Sequence, residues 1–189
     1  LFVLFILTAT LAQGASFTSA TVKETVGTVT VVSQKKNQGP ATVGERIKES
    51  DLLKTGRQSR AELEFSDRTI ARIGSNSISS FNVDGRETNI QQGEALISFP
   101  KGGGKATVRT AAVTAAIVGT TIYVNVRKDR VEDLCLEGLC DVGAYRMKPG
   151  DRLVMRGRQA AYNPPLETFR IADFVKKNPL FTEFSKPLP

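Results

Sequence analysis

From Val26 to about Tyr162 the chain is written in short alternating runs broken by glycine and polar turns, a pattern that confines it to strands burying one face. Ala61, Leu63 and Phe65 alternate with Glu62, Glu64 and Ser66, and Ala95, Ile97 and Phe99 share one parity. Ile122, Val124 and Val126 alternate with Thr121, Tyr123, Asn125 and Arg127; Leu153 and Met155 alternate with Arg152, Val154 and Arg156. Each pattern predicts one face in a core and the other in water, as antiparallel sheets allow. Turn chemistry marks the breaks: Asn37 to Pro40, Thr55-Gly56, Asp84-Gly85, Gly102 to Gly104, Glu137-Gly138 and Pro149-Gly150. The expected fold is all-β rather than βαβ: a compact two-sheet β-roll or sandwich of short, mainly antiparallel strands, with a short C-terminal helix.

Both ends depart from this pattern. Leu1 to Leu11 is an apolar block, and no charge precedes Lys23. The block has the length of a secretory h-region and is too short to cross a bilayer alone. Ala12 and Gly14 suit a signal-peptidase cut before Ala15, and Thr18 and Ala20 suit one before Thr21. Residues 1–20 are therefore expected to be a signal peptide whose start lies upstream of Leu1, with the protein periplasmic or secreted from a bacterium. The tail of a membrane-anchoring helix and a buried core segment are the alternatives. Residues 21–162 form the expected β domain. Beyond it, Asn163-Pro164-Pro165 stops the strands, and Leu166, Phe169, Ala172 and Phe174 recur at roughly helical spacing. Lys176 and Lys177 sit where a helix C-terminus favours cations, and Asn178-Pro179 ends the run. Residues 163–189 are thus expected as a Pro-bounded helix and tail, either packed over an open end of the sheet core or offered to a partner.

Composition narrows the chemistry. Lys and Arg number 26 against 19 Asp and Glu, and the formal charge of +7 draws such a protein to polyanions or simply keeps it soluble. Outside the cytoplasm those polyanions are anionic lipid, lipopolysaccharide or wall polymer; nucleic acid is not the expected partner. There is no histidine, which removes the commonest general base and metal ligand. No Gly-x-Ser-x-Gly elbow, Walker motif or calcium-loop spacing is present, and Gly102-Gly103-Gly104-Lys105 reads as a loop. No catalytic, metal or cofactor site is expected.

The order of turns and strands resembles the FecR domain family. VGTVTVV looks like that family's first Gly-x-Val strand, and VGERIKESDLLKTGRQSRAELEFSDRTIARIGSNSIS follows its core pattern, with Thr55-Gly56 as the turn. The family often has Asp-Gly where this chain has Asp67-Arg68. IQQGEALISF, with Gly93, resembles its Leu-x-x-Gly strand. ATVRTAAVTAAIVGTTIYVNV, with Thr110, Gly119 and Thr120, resembles its Val-x-Thr to Gly-Thr block. Gly138 in the following turn and Gly150 in MKPGDRL also match. The resemblance spans roughly Val26 to Met155 and implies structural roles for these residues. Known members of the family sense an outer-membrane receptor and control a sigma factor, so the resemblance implies envelope signalling, here by a stand-alone exported module.

Two features remain. Cys135 and Cys140, in CLEGLC, are the only cysteines, and in an oxidising compartment two cysteines most often pair. With Glu137-Gly138 as a two-residue hairpin loop, they would face each other across the turn at about 4.5 Å between Cα atoms. A zinc site lacks ligands, and a redox pair usually reads Cys-x-x-Cys; a strained, exposed cross-strand disulfide is nevertheless reducible, so a redox switch stands as the alternative to a structural clip. Arg127, Lys128 and Arg130 cluster before that turn, while Arg152, Arg156 and Arg158 share one strand parity. These six are candidates for binding an anionic envelope polymer or an envelope protein, or else a solvated face. Membrane contact is expected only with an uncleaved leader. An envelope or wall scaffold, and the periplasmic part of an anchored sigma-factor regulator, are the alternative functions; an enzyme using scattered carboxylates has no acid pair to support it.

Overall fold

The structure, a computed structural model, describes residues 19–33, 38–49, 51–82, 85–157 and 164–188. Its strands begin with β1 (Ala20–Val26), β2 (Val29–Val32), β3 (Gly39–Pro40), β4 (Arg46–Ile47), β5 (Leu52–Thr55) and β6 (Arg60–Phe65). β7 (Ile70–Ile73), β8 (Ile78–Asn82), the long β9 (Glu87–Ser98), β10 (Ala106–Arg109), β11 (Thr114–Ile117) and β12 (Thr121–Val126) follow. Then come β13 (Arg130–Glu137), β14 (Cys140–Val142), β15 (Tyr145–Met147), β16 (Asp151–Arg156) and β17 (Glu167–Thr168). Two short helices, α1 (Ile171–Lys177) and α2 (Pro179–Thr182), follow the last strand.

Hydrogen bonds arrange the strands as two sheets that share β9. Sheet A runs β4-β1-β6-β7-β9-β12-β13-β16-β17 and is antiparallel throughout. Sheet B runs β3-β2-β5-β8-β9-β10-β11-β14-β15, with β9–β10 as its parallel pair. β9 crosses from one to the other, pairing with β8 up to Gln92 and with β12 from Gly93 onward. Gly93 has φ +86°, and a Cβ there would lie 2.1 Å from Ser77 Oγ, so the bend requires glycine. The two-sheet, mainly antiparallel roll predicted from alternation is the fold found.

The predicted inward residues meet in one core. Leu63, Ile97 and Ile122 of sheet A pack against Leu53, Ile90 and Ile117 of sheet B. Phe65 and Phe81 join the sheets edge to face, their ring centroids 5.1 Å apart.

The opposite face of sheet A differs from expectation, because much of it is not in water. Leu96, Tyr123, Leu134 and Leu136 point outward and are buried against Leu180, with Phe169, Phe174 and Phe181 packed around them. β12 is consequently buried at every residue. The C-terminal segment lies across this face rather than over an open end of the core. It enters as β17, which pairs Thr168 with Asp151 of β16. Phe174 then stacks edge-on against Tyr123 at 4.9 Å. Above β1 and β6 it is tied by Ser185 Oγ donating to Glu24 at 2.6 Å and by a 2.6 Å ion pair of Arg60 with Glu183. Helix is shorter than the spacing predicts, because Glu167 and Thr168 join the sheet first. Asn178 ends α1, and its side chain accepts from Leu180 N at 2.9 Å to cap α2, with Pro179 in the first turn.

Arg72 anchors this arm. Only 1% exposed, it donates from Nε to Glu62 at 2.8 Å and from its other nitrogens to the carbonyls of Leu180 and Lys186. Its guanidinium carbon lies 4.5 Å from the Phe184 ring centroid. A buried guanidinium is tolerable only with such pairing, so the arm supplies what solvent otherwise would.

Among the described residues no helix is long and apolar enough to cross a membrane. The expected leader lies outside the described residues except Ser19 and Ala20. Ala20 opens β1, where it is buried and pairs with Ile47 and Phe65, so the 20/21 boundary falls inside a strand.

Candidate functional site

The cysteine corner is built differently from the expected hairpin. β13 pairs with β12 and β16 in sheet A, whereas β14 pairs with β11 and β15 in sheet B. Residues between them turn a corner from one sheet to the other. Cys135 stands opposite Ile122 and Cys140 opposite Ile117, and both are fully buried in the inter-sheet core. Their Cα atoms are 6.0 Å apart, at disulfide distance. Gly138 makes the corner possible: its φ is +71°, and a Cβ would sit 2.3 Å from Thr120 Cγ2. Alternation gave no sign of this, since a hairpin and a sheet-crossing corner read alike over six residues.

The other motif residues perform backbone work at similar junctions. Thr55 Oγ1 donates to Gly74 O and accepts from Ser77 N at 2.9 Å, tying β5 to the β7–β8 turn. The Gly56 amide donates to Thr28 O at 2.8 Å. Thr110 Oγ1 accepts from Val113 N at 3.1 Å to close the β10–β11 hairpin. Gly119 packs on Lys101, and Thr120 is buried against the corner. Gly150 N–H donates to Cys135 O at 3.0 Å, and its carbonyl accepts from Phe169 N at 2.9 Å. None of these side chains is poised for chemistry.

The basic residues separate into two groups. Arg152 is neutralised, with Nε 2.6 Å from Glu132 Oε1 and a second nitrogen 3.2 Å from Glu167. The Glu132 contact is an ion pair whose geometry misses a directed hydrogen bond. Arg158 lies outside the described residues. Arg127, Lys128, Arg130 and Arg156 gather at one end of sheet A. Arg130 stands directly opposite Arg156 across β13–β16, and Arg127 N–H donates to Arg130 O at 2.8 Å across the β12–β13 turn. Among the described residues none of the four forms an ion pair, although Asp129 shares their turn.

Beside this end lies a groove of about 710 Å³, which sequence reasoning missed. Its floor is the β9 bend, one wall is the β7–β8 turn with Ser75 and Asn76, and Arg127 and Lys128 stand on its rim. Gln92 and Asn125 contribute carboxamides from neighbouring strands. Glu94 accepts from the Tyr123 hydroxyl at 2.7 Å. Burial, with the Glu94 charge, pushes the Tyr123 phenol above its ordinary value, so it remains a neutral donor. No signal in the sequence joins Asn76 to Asn125, because the sheet-crossing β9 brings them together.

One acid is perturbed, away from this groove. Asp133 points inward between Val131 and Cys135, fully buried, and its Oδ2 has no hydrogen-bond partner. Burial, with Glu132 adding repulsion, pushes its carboxyl up to about 7. It is sealed from any substrate. Among the described residues no three His, Cys, Asp or Glu side chains group as metal ligands.

Comparison with known proteins gives a consistent frame. Residues 51–140 match the family model described as FecR protein. The matched span holds the Thr55, Gly93, Thr110, Gly119 and Gly138 motifs and both cysteines; the opening VGTVTVV and the Gly150 stretch lie outside it. No curated protein sequence matches the chain. Two crystal structures of a candidate anti-sigma factor from Parabacteroides distasonis ATCC 8503 are similar in fold. One superposes with a TM-score of 0.55 at 13% identity, covering 62% of this chain and 59% of that one. The other gives 0.56 at 11% identity, covering 67% and 64%. The chain thus spans less than two thirds of the length of either, and at such identity the likeness is one of fold. Over residues 51–140, from the start of the β5 segment to the second cysteine, this chain carries the FecR family's domain.

Proposed function

We propose that the chain is a non-enzymatic, extracytoplasmic FecR-like module that binds a partner in envelope signalling. The observation that carries this reading is the FecR match over residues 51–140, on a fold similar to that of candidate anti-sigma factors. Those relatives make a regulatory protein the first partner to consider. The absence of histidine, and a perturbed acid sealed in the core, favour binding over catalysis. A buried cysteine pair at disulfide distance favours an oxidising compartment. We assign residues 1–14 to the leader, place Ala20 with the β domain, which runs on to residue 162, and assign 163–189 to the arm. Arg127, Lys128, Arg130 and Arg156 form the contact surface, and the pair Cys135–Cys140 locks the corner between sheets.

Ala20 is buried in β1, so cleavage before Ala15 keeps the strand whole and cleavage before Thr21 does not. If the leader stays uncleaved, β1 follows it directly, and the chain becomes the periplasmic part of an anchored sigma-factor regulator. Intact mass, taken by cell fraction from a Gram-negative host, tests the placement. A soluble periplasmic product starting near Ala15, about two mass units light until reduced, supports it. A cytosolic product with two free thiols overturns it.

A further inference from the structure

On the outer face of sheet A, charge is matched almost everywhere. Lys23 pairs with Glu64, Arg72 with Glu62 and Arg152 with Glu132. At one end the pattern breaks. Arg127, just past the end of β12, stands beside Arg130 of β13 and Arg156 of β16, at the strand spacing of about 5 Å. Arg130 and Arg156 are in direct cross-strand register. Like charges so placed oppose folding, so the row is maintained against its own repulsion. The groove alongside adds Asn76, Gln92 and Asn125; Gln92 Nε2 donates to Asn76 O at 3.0 Å, which holds its carboxamide in place with the carbonyl oxygen left for a partner, and Asn125 is buried beside Tyr123. A carboxamide both donates and accepts, which is the pairing set of a peptide main chain.

We propose that the Arg127–Arg130–Arg156 row and the adjoining carboxamide groove form a docking site for an extended, acidic segment of a partner protein. The proposal rests on the binding reading above and names the partner's chemistry. In an extended segment, acidic side chains at alternate positions lie about 7 Å apart on one side, within the reach of a row about 10 Å long. The main chain of that segment lies in the groove, where Asn76 and Gln92 meet its amides and carbonyls. Lys128, exposed on the rim, steers acidic segments toward the row. A lipid surface meets the arginines but has no extended chain to lay in the groove against the carboxamides.

Fluorescence anisotropy on the purified protein, with a labelled eight-residue peptide alternating Glu and Ser, tests this directly. Binding is expected at low salt and is expected to vanish when Gln replaces Glu. The triple variant Arg127→Gln, Arg130→Gln, Arg156→Gln should bind about tenfold more weakly, several exposed ion pairs being lost together. It should melt no lower than the parent, because the like-charge row is relieved. The variant Asn76→Gly with Gln92→Ala should weaken peptide binding while leaving binding to phosphatidylglycerol vesicles unchanged; glycine is chosen because Asn76 has φ +51°. Unchanged peptide affinity in the triple variant overturns the proposal. So does equal binding of peptide, polyuronate and phosphatidylglycerol vesicles with no effect of the groove changes, which reveals an unselective polyanion surface. A cytosolic location or a silent deletion phenotype sinks the envelope reading and leaves this binding result standing.

Discussion

Replacing Asp133 by Asn should stabilise the protein, and increasingly so as the pH rises. The carboxyl lies inside the core between two sheets, beside Val124 and Leu153 on the flanking strands, with one oxygen unpartnered. Its pKa moves from 3.8 to about 7, chiefly through burial. Below about pH 4 both folded and unfolded chains hold the proton, and the group has no effect on stability. Between about 4 and 7 the unfolded chain releases the proton and the folded chain keeps it, so stability falls by about 1.4 kcal/mol per pH unit. Above 7 both forms are ionised and the full penalty persists. The rise from 3.8 to about 7 corresponds to about 4 kcal/mol. Urea unfolding of parent and Asp133→Asn from pH 4 to 8 isolates the effect, since every other group titrates in both. The two stabilities should nearly coincide at pH 4 and diverge by about 4 kcal/mol at pH 8 in favour of the variant. Parallel curves across that range would refute the reasoning and show that the folded protein solvates this carboxylate.

Three other perturbations probe the frame. Changing both Cys135 and Cys140 to Ala should cost about 2 kcal/mol from loop closure alone, read as a lower urea midpoint, and an unchanged midpoint would show that the pair is not bonded. Gly138→Ala should destabilise by about 2 kcal/mol or more, because φ +71° is unfavourable for alanine and its Cβ would meet Thr120. Arg72→Met strips the partner from Glu62 and from two arm carbonyls, a loss of about 3 kcal/mol; trypsin should then cut at Lys176 and Lys177 sooner, whereas equal cutting rates would mean the arm holds without its anchor.

The inward half of the fold could be read directly, because a strand's period of two assigns faces without tertiary information. Ala61, Leu63 and Phe65, and Ile122, Val124 and Val126, are all core residues. The outward half could not. Tyr123 looks like a solvent-facing residue until Phe174, fifty-one positions later, covers it. Arg72 reads as the polar position of a strand, yet it is buried by carbonyls more than a hundred positions away. CLEGLC carries hairpin signals, but where the chain pairs next depends on β11 and β16 rather than on those six residues. The basic residues were visible as a set; their register was not. Only the β13–β16 pairing shows that Arg130 faces Arg156 while Arg152 is spoken for by Glu132 and Glu167.

The regulatory reading is tested most directly by RNA levels in a strain lacking this gene, complemented either with the parent protein or with the Arg127, Arg130 and Arg156 triple variant. A signalling module predicts altered transcription of a discrete set of envelope genes, restored by the parent and not by the variant. An unchanged transcript profile, with an envelope that is mechanically weakened, would contradict it and assign the protein to the scaffold of the envelope instead.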